Sequence, residues 1–204
     1  MISLYHCAGS RSLRCLWLLE ELGADYELKA MPFPPRFKAP EFLAVNPLGS
    51  VPYLIDGDVE MDESCAILQY LAGRYGDGSL EIAADHPAYG HYLNALYFGE
   101  CALAGPQAVA LRYRFFLPAD QRQPAVADDY QAMVNERLAV LNAQLQRVEG
   151  DFLCGDRFTL ADISVGYALL LISHFKLDEA FGDEVRAYAQ RLFSRPAFQR
   201  AAAL

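Results

Sequence analysis

The stretch that most constrains this chain is Asn46-Pro47-Leu48-Gly49-Ser50-Val51-Pro52-Tyr53-Leu54, followed shortly by Met61-Asp62-Glu63-Ser64-Cys65-Ala66-Ile67. Asn-Pro with a glycine marks a turn, and the second proline opens a β-branched and aromatic run that reads as a strand. A proline cannot donate to a sheet ladder, which places Pro52 at the first residue or the edge of that strand. The Val51-Pro52 bond is a candidate for the cis form, which folded proteins keep in tight turns. Such a bend turns the N–H and C=O of Val51 outward, free to pair with an extended peptide. Asp62-Glu63-Ser64 then falls at a helix start, where free N–H groups and the positive end of the dipole favour an anion. Together these features suggest a site for a small peptide with an ionised carboxylate. The plainer alternative is a turn, an edge strand and a capped helix.

The 204 residues, 53% of them hydrophobic, suffice for one large domain or two small ones. The formal net charge is −9 and the Arg and Lys residues are scattered, which argues against nucleic acid as a partner. The opening Met-Ile-Ser-Leu-Tyr-His has no basic region and no long apolar run, so no secretory signal is expected. No apolar run approaches the roughly 18 residues of a membrane span, so no membrane partner is expected either. Five widely spaced cysteines (Cys7, Cys15, Cys65, Cys101 and Cys154) fit a reducing cytoplasm. With no Cys-x-x-Cys pair and no ligand spacing among His6, His86, His91 and His174, no metal site is expected.

Ile2 to Tyr5 reads as a short strand, Ser12 to Leu22 as a helix stopped by Gly23, and Tyr26 to Ala30 as a second strand. The proline-rich segment from Met31 to Pro40 reads as a loop. Tyr53 to Ile55 and Val59 to Met61 read as a hairpin through Asp56-Gly57-Asp58, and Ser64 to Tyr75 as a helix. That order is a compact α/β unit of thioredoxin-like type, residues 1–76. Gly76-Asp77-Gly78-Ser79 begins a linker, 77–85, and residues 86–204 read as all-helical. There, Asp85 caps a helix running to about Leu103, Gly105-Pro106 interrupts, and Gln107 to Phe116 continues. The longest periodic segment, about Val126 to Val148, is stopped by Gly150. Thr159-Leu160-Ala161-Asp162 is a capping box, with Asp where Glu or Gln is usual, opening a helix that is apolar nearly all round. Asp162 is read as structural.

Four separated pieces resemble the cytosolic-type glutathione S-transferases over essentially the whole chain. They are Ser-Arg-Ser-Leu-Arg-Cys-Leu-Trp-Leu-Leu-Glu-Glu-Leu (10–22), Asn-Pro-Leu-Gly-Ser-Val-Pro (46–52), Glu-Ser-Cys-Ala-Ile (63–67) and Phe-Leu-Cys-Gly-Asp-Arg-Phe-Thr-Leu-Ala-Asp-Ile-Ser (152–164). The resemblance, to a serine-type bacterial member, implies an enzyme that conjugates the thiolate of glutathione, its co-substrate, to an electrophilic small molecule. It also implies a homodimer.

Such an enzyme must hold the thiol as thiolate, the nucleophilic form, although a free thiol has a pKa of about 8.5. A hydroxyl donor at a helix N-terminus does this by hydrogen bonding and through the local dipole. In serine-type members the donor lies four residues before an arginine, a spacing that Ser10 and Arg14 reproduce. Ser12 is the second candidate, and its plainer reading is the helix N-cap. Tyr5 lies inside a strand and reads as a packed ring. Cys7-Ala8-Gly9-Ser10 imitates a monothiol Cys-x-x-Ser arrangement, but Cys7 falls early and reads as a small buried apolar residue.

By the resemblance, Val51 pairs with the cysteinyl part of glutathione, with Pro52 as the cis-proline. Glu63 accepts from the γ-glutamyl ammonium and Ser64 donates to its carboxylate. Many relatives carry lysine where this chain has Ser50, and Arg36 or Lys38 is the substitute for binding the glycine carboxylate. Two other functions stay open: glutathione-dependent thiol-disulfide exchange or peroxide reduction, and a non-catalytic binding module of the same architecture.

Overall fold

In the computed structural model, which describes residues 1–204, the alternation of Ile2-Ser3-Leu4-Tyr5-His6 becomes strand β1 (Ile2–His6). Ile2, Leu4 and His6 are buried on one face, and Ser3 and Tyr5 lie half-covered on the other. Helix α1 (Ser12–Leu22) buries Leu13, Leu16, Trp17, Leu18 and Leu19. It ends at Gly23, whose φ of +59° is open to glycine and whose N–H returns to the Leu19 carbonyl. Strand β2 (Tyr26–Ala30) then pairs parallel to β1, as a strand–helix–strand crossover requires. Strands β3 (Tyr53–Asp56) and β4 (Val59–Met61) form the expected hairpin. With β3 antiparallel to β1, the sheet order is β2-β1-β3-β4. Helix α3 (Ser64–Tyr75) packs on α1 with Ile67, Leu68 and Leu71 buried. This is the thioredoxin-like domain that the order of elements implied.

On the sheet's other face, Tyr5 meets Phe42 at 5.1 Å and Tyr53 at 6.0 Å between ring centres. Tyr5 is therefore a packed ring. The proline-rich segment is more ordered than a loop: Pro35–Lys38 forms the short helix α2, and Pro40–Ala44 a 3₁₀ turn. Both start on a proline, whose missing N–H costs nothing at the first helical position and whose fixed φ suits it. The Phe33-Pro34 and Val51-Pro52 bonds are cis.

The remaining chain is helical. Helix α4 (Tyr89–Tyr97) starts behind Ala88, so Asp85 is not its cap. The turn before it is closed instead by the His86 ring, which accepts the Ala88 N–H at 3.1 Å. Gly105-Pro106 does not interrupt the helix. The run passes through a π-helical stretch, Phe98–Ala104, into α5 (Gly105–Leu111), and the Gly105 N–H reaches back to Glu100. The wider turn carries the chain past a residue with no N–H to donate. A second π-helical stretch, Arg112–Phe116, precedes α6 (Pro124–Leu145), which stops well short of Gly150. Gly150 serves close packing: a Cβ there would lie 2.4 Å from the Gly155 carbonyl carbon.

Helix α7 (Leu160–His174) is buried along most of its length and opens with the capping box. The Thr159 N–H donates to Asp162 at 2.8 Å, and the same carboxylate accepts from the Leu153 N–H at 3.0 Å and the Tyr188 hydroxyl at 2.7 Å. Asn142 on α6 accepts the Glu184 and Val185 N–H groups, capping α8 (Asp183–Phe193) from a distance in sequence. Helix α9 (Pro196–Ala202) packs on α1 through Trp17 and Phe198, 4.9 Å apart, and a two-pronged Arg195–Glu21 pair. By packing, the chain forms two units, Met1–Glu81 with Phe193–Leu204, and Ile82–Leu192. Residues 193–204, helical as the sequence indicates, thus pack with the first unit. No helix is long and apolar enough to cross a membrane.

Candidate active site

Between β1 and α1 the chain turns through Cys7-Ala8-Gly9-Ser10-Arg11, with Gly9 at φ +71°. Helix α1 begins at Ser12, behind Arg11, and has no side-chain cap. The N-cap reading of Ser12 therefore fails, because its hydroxyl faces the strand. Ser12 Oγ lies 2.8 Å from His6 Nδ1 and 2.7 Å from Ser10 Oγ, and it accepts the Cys7 N–H at 3.2 Å. Ser10 Oγ accepts the Ser12 N–H at 3.3 Å and donates to the Cys7 carbonyl at 2.8 Å. Ser12 is fully enclosed, at 0% exposed, while Ser10 keeps 7%. Ser10 thus ends a chain of hydrogen bonds that begins at a buried histidine. Burial pushes that histidine's pKa below its ordinary value, keeping the ring neutral near pH 7.

Cys7 is buried, with Sγ 3.7 Å from the Pro32 carbonyl, and desolvation pushes its thiol up to about 11. A neutral buried thiol is a poor nucleophile, which bears out the packing role and weakens the monothiol comparison.

Asn46 holds the turn before Pro52. Its side chain is buried, donates to the Ser50 carbonyl at 2.9 Å and accepts the Leu48 N–H at 3.0 Å. Gly49, at φ +58°, has no room for a Cβ, which would sit 2.8 Å from Leu43. Val51 and Pro52 stay outside the β1–β3 ladder, which begins where Tyr53 pairs with Tyr5. Arg36, on α2, donates to the Leu48 carbonyl at 2.7 Å, so the same turn positions it. Lys38 is the exposed last residue of that helix.

Glu63 stands at the N-cap of α3 without a side-chain cap bond, its carboxylate exposed. Ser64, the first residue of α3, is 3% exposed, and the fully buried Arg14 on α1 donates to its hydroxyl at 3.1 Å. That bond fills a lone pair of Ser64 and leaves its proton for an anion at the helix start. The structure thus gathers Ser10 and Ser12 at one helix start, Glu63 and Ser64 at another, and Val51-Pro52 on the intervening bend. Arg36 joins that bend, and Lys38 stays in solvent. Sequence reasoning missed His6 and Arg14 as parts of these clusters. Arg14 entered only as a spacing mark, and His6 only as a histidine without metal spacing. No group of three or more His, Cys, Asp or Glu side chains is placed to hold a metal ion.

A thioredoxin-like domain with a hydroxyl at the start of its first helix, a cis-proline bend and an anion-ready helix start belongs to a class of thiol-peptide enzymes. Comparison with known proteins gives the family. The glutathione S-transferase N-terminal domain matches residues 1–73, and the glutathione S-transferase C-terminal domain residues 106–196. "Glutathione S-transferase 1" of Zea mays is 32% identical over 221 residues, covering 100% of this chain and 96% of the relative. Among solved structures, a glutathione transferase from Methylococcus capsulatus superposes with a TM-score of 0.88 at 27% identity, covering 100% of this chain and 98% of that one. A sphingomonad glutathione S-transferase complexed with glutathione gives 0.84 at 27% identity, covering 98% and 97%. The chain belongs to the glutathione S-transferase family and is a transferase.

Proposed function

We propose that this protein is a serine-type glutathione transferase of bacterial kind, in which Ser10 donates a hydrogen bond to the thiolate of bound glutathione. The thiol proton leaves to solvent. The thiolate attacks an electrophilic carbon of a small molecule, a C–S bond forms, and the leaving group departs with its electron pair. Val51 pairs its backbone with the cysteinyl part of glutathione beside Pro52. Glu63 takes the γ-glutamyl ammonium, and the Ser64 hydroxyl and N–H take its carboxylate, with Arg14 orienting Ser64. Arg36, which the Leu48 carbonyl holds at that bend, supplies the cation for the glycine carboxylate, with the exposed Lys38 as the alternative.

The observation that carries this reading is the pair of hydroxyls 2.7 Å apart at the start of α1, of which Ser10 keeps 7% exposure and Ser12 none. The buried, protonated Cys7 leaves the thiol-disulfide alternative without a protein nucleophile at that loop. The protein acts as a cytoplasmic homodimer, the α/β domain of one subunit meeting the helical domain of the other. Tyr97, 46% exposed, is an aromatic that a dimer can cover, whereas Tyr92 of the same helix is already buried. Sedimentation as a monomer at micromolar concentration would remove the dimer.

Calorimetry with glutathione, followed by turnover with an aryl halide, tests the function. Binding together with conjugation is expected. Binding without turnover on any electrophile would leave a binding module, and no binding would overturn the proposal.

A further inference from the structure

We propose that His6 is a positioning residue for the transfer: its Nδ1–H donates to Ser12, the Ser12 hydroxyl donates to Ser10, and the Ser10 proton is thereby left for the thiolate. This rests on the Ser10 reading and extends it inward to the sheet.

With the His6 hydrogen on Nδ1, the donors and acceptors of the cluster fall into one order. Ser12 Oγ has two lone pairs and one proton. The Cys7 N–H at 3.2 Å takes one lone pair, and His6 Nδ1 stands 2.8 Å away for the other. The Ser12 proton then has two acceptors in reach, Ser10 Oγ at 2.7 Å and the Cys7 carbonyl at 3.4 Å, and the nearer one takes it. Ser10 Oγ accepts that proton and the Ser12 N–H at 3.3 Å, which fills both of its lone pairs. Its own proton rests on the Cys7 carbonyl at 2.8 Å in the free protein, and it is the one hydrogen of the cluster able to swing outward. In the reverse direction, Nδ1 would accept the Ser12 proton, and Ser10 would have only the Ser12 N–H to polarise its hydroxyl.

The fold supplies the histidine through alternation. His6 is the last residue of β1 and shares its buried face with Ile2 and Leu4. That face brings its ring against the first residue of α1, whereas Tyr5 points into the aromatic cluster on the other face. At 2% exposed, the ring is enclosed, and its lowered pKa keeps it neutral. Hydrogen bonds in such a chain polarise one another, so each donor strengthens the next.

The test is the pH profile of kcat with an aryl halide in His6→Phe, which keeps a flat ring without a donor, and in His6→Asn, whose amide N–H can stand in for Nδ1–H. His6→Phe is expected to move the acidic limb upward and to lower kcat below neutral pH by roughly threefold to tenfold, the size of one neutral hydrogen bond. The KM for glutathione should stay unchanged, and His6→Asn should restore most of the profile. An unmoved acidic limb in His6→Phe, or equal loss in the two variants, overturns the inference. Should His6→Phe fail to fold, Ser12→Ala decides: it must shift the same limb, and an unchanged limb overturns the inference. If Ser10→Ala shifts the profile while His6→Phe and Ser12→Ala do not, only this inference fails. If Ser10→Ala is silent, the Ser10 reading fails with it.

Discussion

The N-termini of α7 and α1 are both built from buried polar side chains, yet they are wired in opposite senses. At α7, Asp162 is an end point: the Leu153 N–H, the Thr159 N–H and hydroxyl, and the Tyr188 hydroxyl all converge on it. Burial pushes its carboxyl up while those hydrogen bonds pull it down. Nothing in that cluster points outward. At α1, in the proposed order, the donors are passed along from His6 through Ser12 to Ser10, and the last hydroxyl keeps 7% exposure. The closed cluster fixes a helix, and the open one, on the proposed reading, presents a donor. What separates structure from chemistry here is the direction and end point of the hydrogen bonds, since the residue types are equally polar.

The largest effect belongs to the closed cluster. Asp162→Ala strands four donors in the core, and an unsatisfied buried group costs about 1–3 kcal/mol. A loss of at least about 3 kcal/mol is expected, which for a chain of this size is roughly 6–12 °C in Tm. A variant melting with the parent would mean that the cluster is not structural.

Ser10→Ala should behave in the opposite way. One preorganised donor is worth about 2–4 kcal/mol in the barrier to turnover. Stability should fall by less than in Asp162→Ala, by about 1–2 kcal/mol, because only the Ser12 N–H and hydroxyl lose an acceptor and that hydroxyl still has the Cys7 carbonyl at 3.4 Å. A loss of stability as large as that of Asp162→Ala, with turnover kept, would make α1 a second closed cluster.

Next in size is Glu63→Gln. Its proposed contact with the γ-glutamyl end is far from the sulfur and similar in ground and transition states, so the substitution is expected to raise the KM for glutathione and leave kcat nearly untouched. A charged hydrogen bond of roughly 1.5–3 kcal/mol corresponds to about ten- to a hundredfold in affinity. An unchanged KM would return Glu63 to a solvent-exposed helix start.

The smallest effect is at Cys7. With its thiol raised to about 11, the neutral form holds below that pH, so iodoacetamide at pH 8 should label the exposed Cys101 and spare Cys7. Cys7→Ser should leave conjugation unchanged. Rapid labelling of Cys7 at pH 8 in the folded protein would revive the thiol-disulfide reading.

Much of the fold was legible because its signals are local. The leucine spacing and Gly23 mark the bounds of α1, turn residues mark the hairpin, and the helical spacing of Ile67, Leu68, Leu71 and Tyr75 marks α3. What escaped the sequence was shorter than a period or depended on distant partners. Helix α2 has four residues, too few for periodicity to register. The start of α4 is set by the His86 ring, and Gly105-Pro106 reads as a break until the π-helical turn before it is seen. The site divides along the same line. Ser10, the Val51-Pro52 bend and the Glu63-Ser64 helix start lie in contiguous motifs. Arg14 and His6 acquire meaning only when α1 is laid against α3 and β1.

The central claim is that Ser10 presents a donor to the bound thiol, and the most direct measurement is the ultraviolet titration of the thiolate of glutathione on the protein. In the parent, the thiol is expected about two units below its ordinary value of about 8.5. In Ser10→Ala it should return most of the way, with glutathione still bound. An unchanged titration in Ser10→Ala, or a free-thiol value in the parent, would contradict the claim.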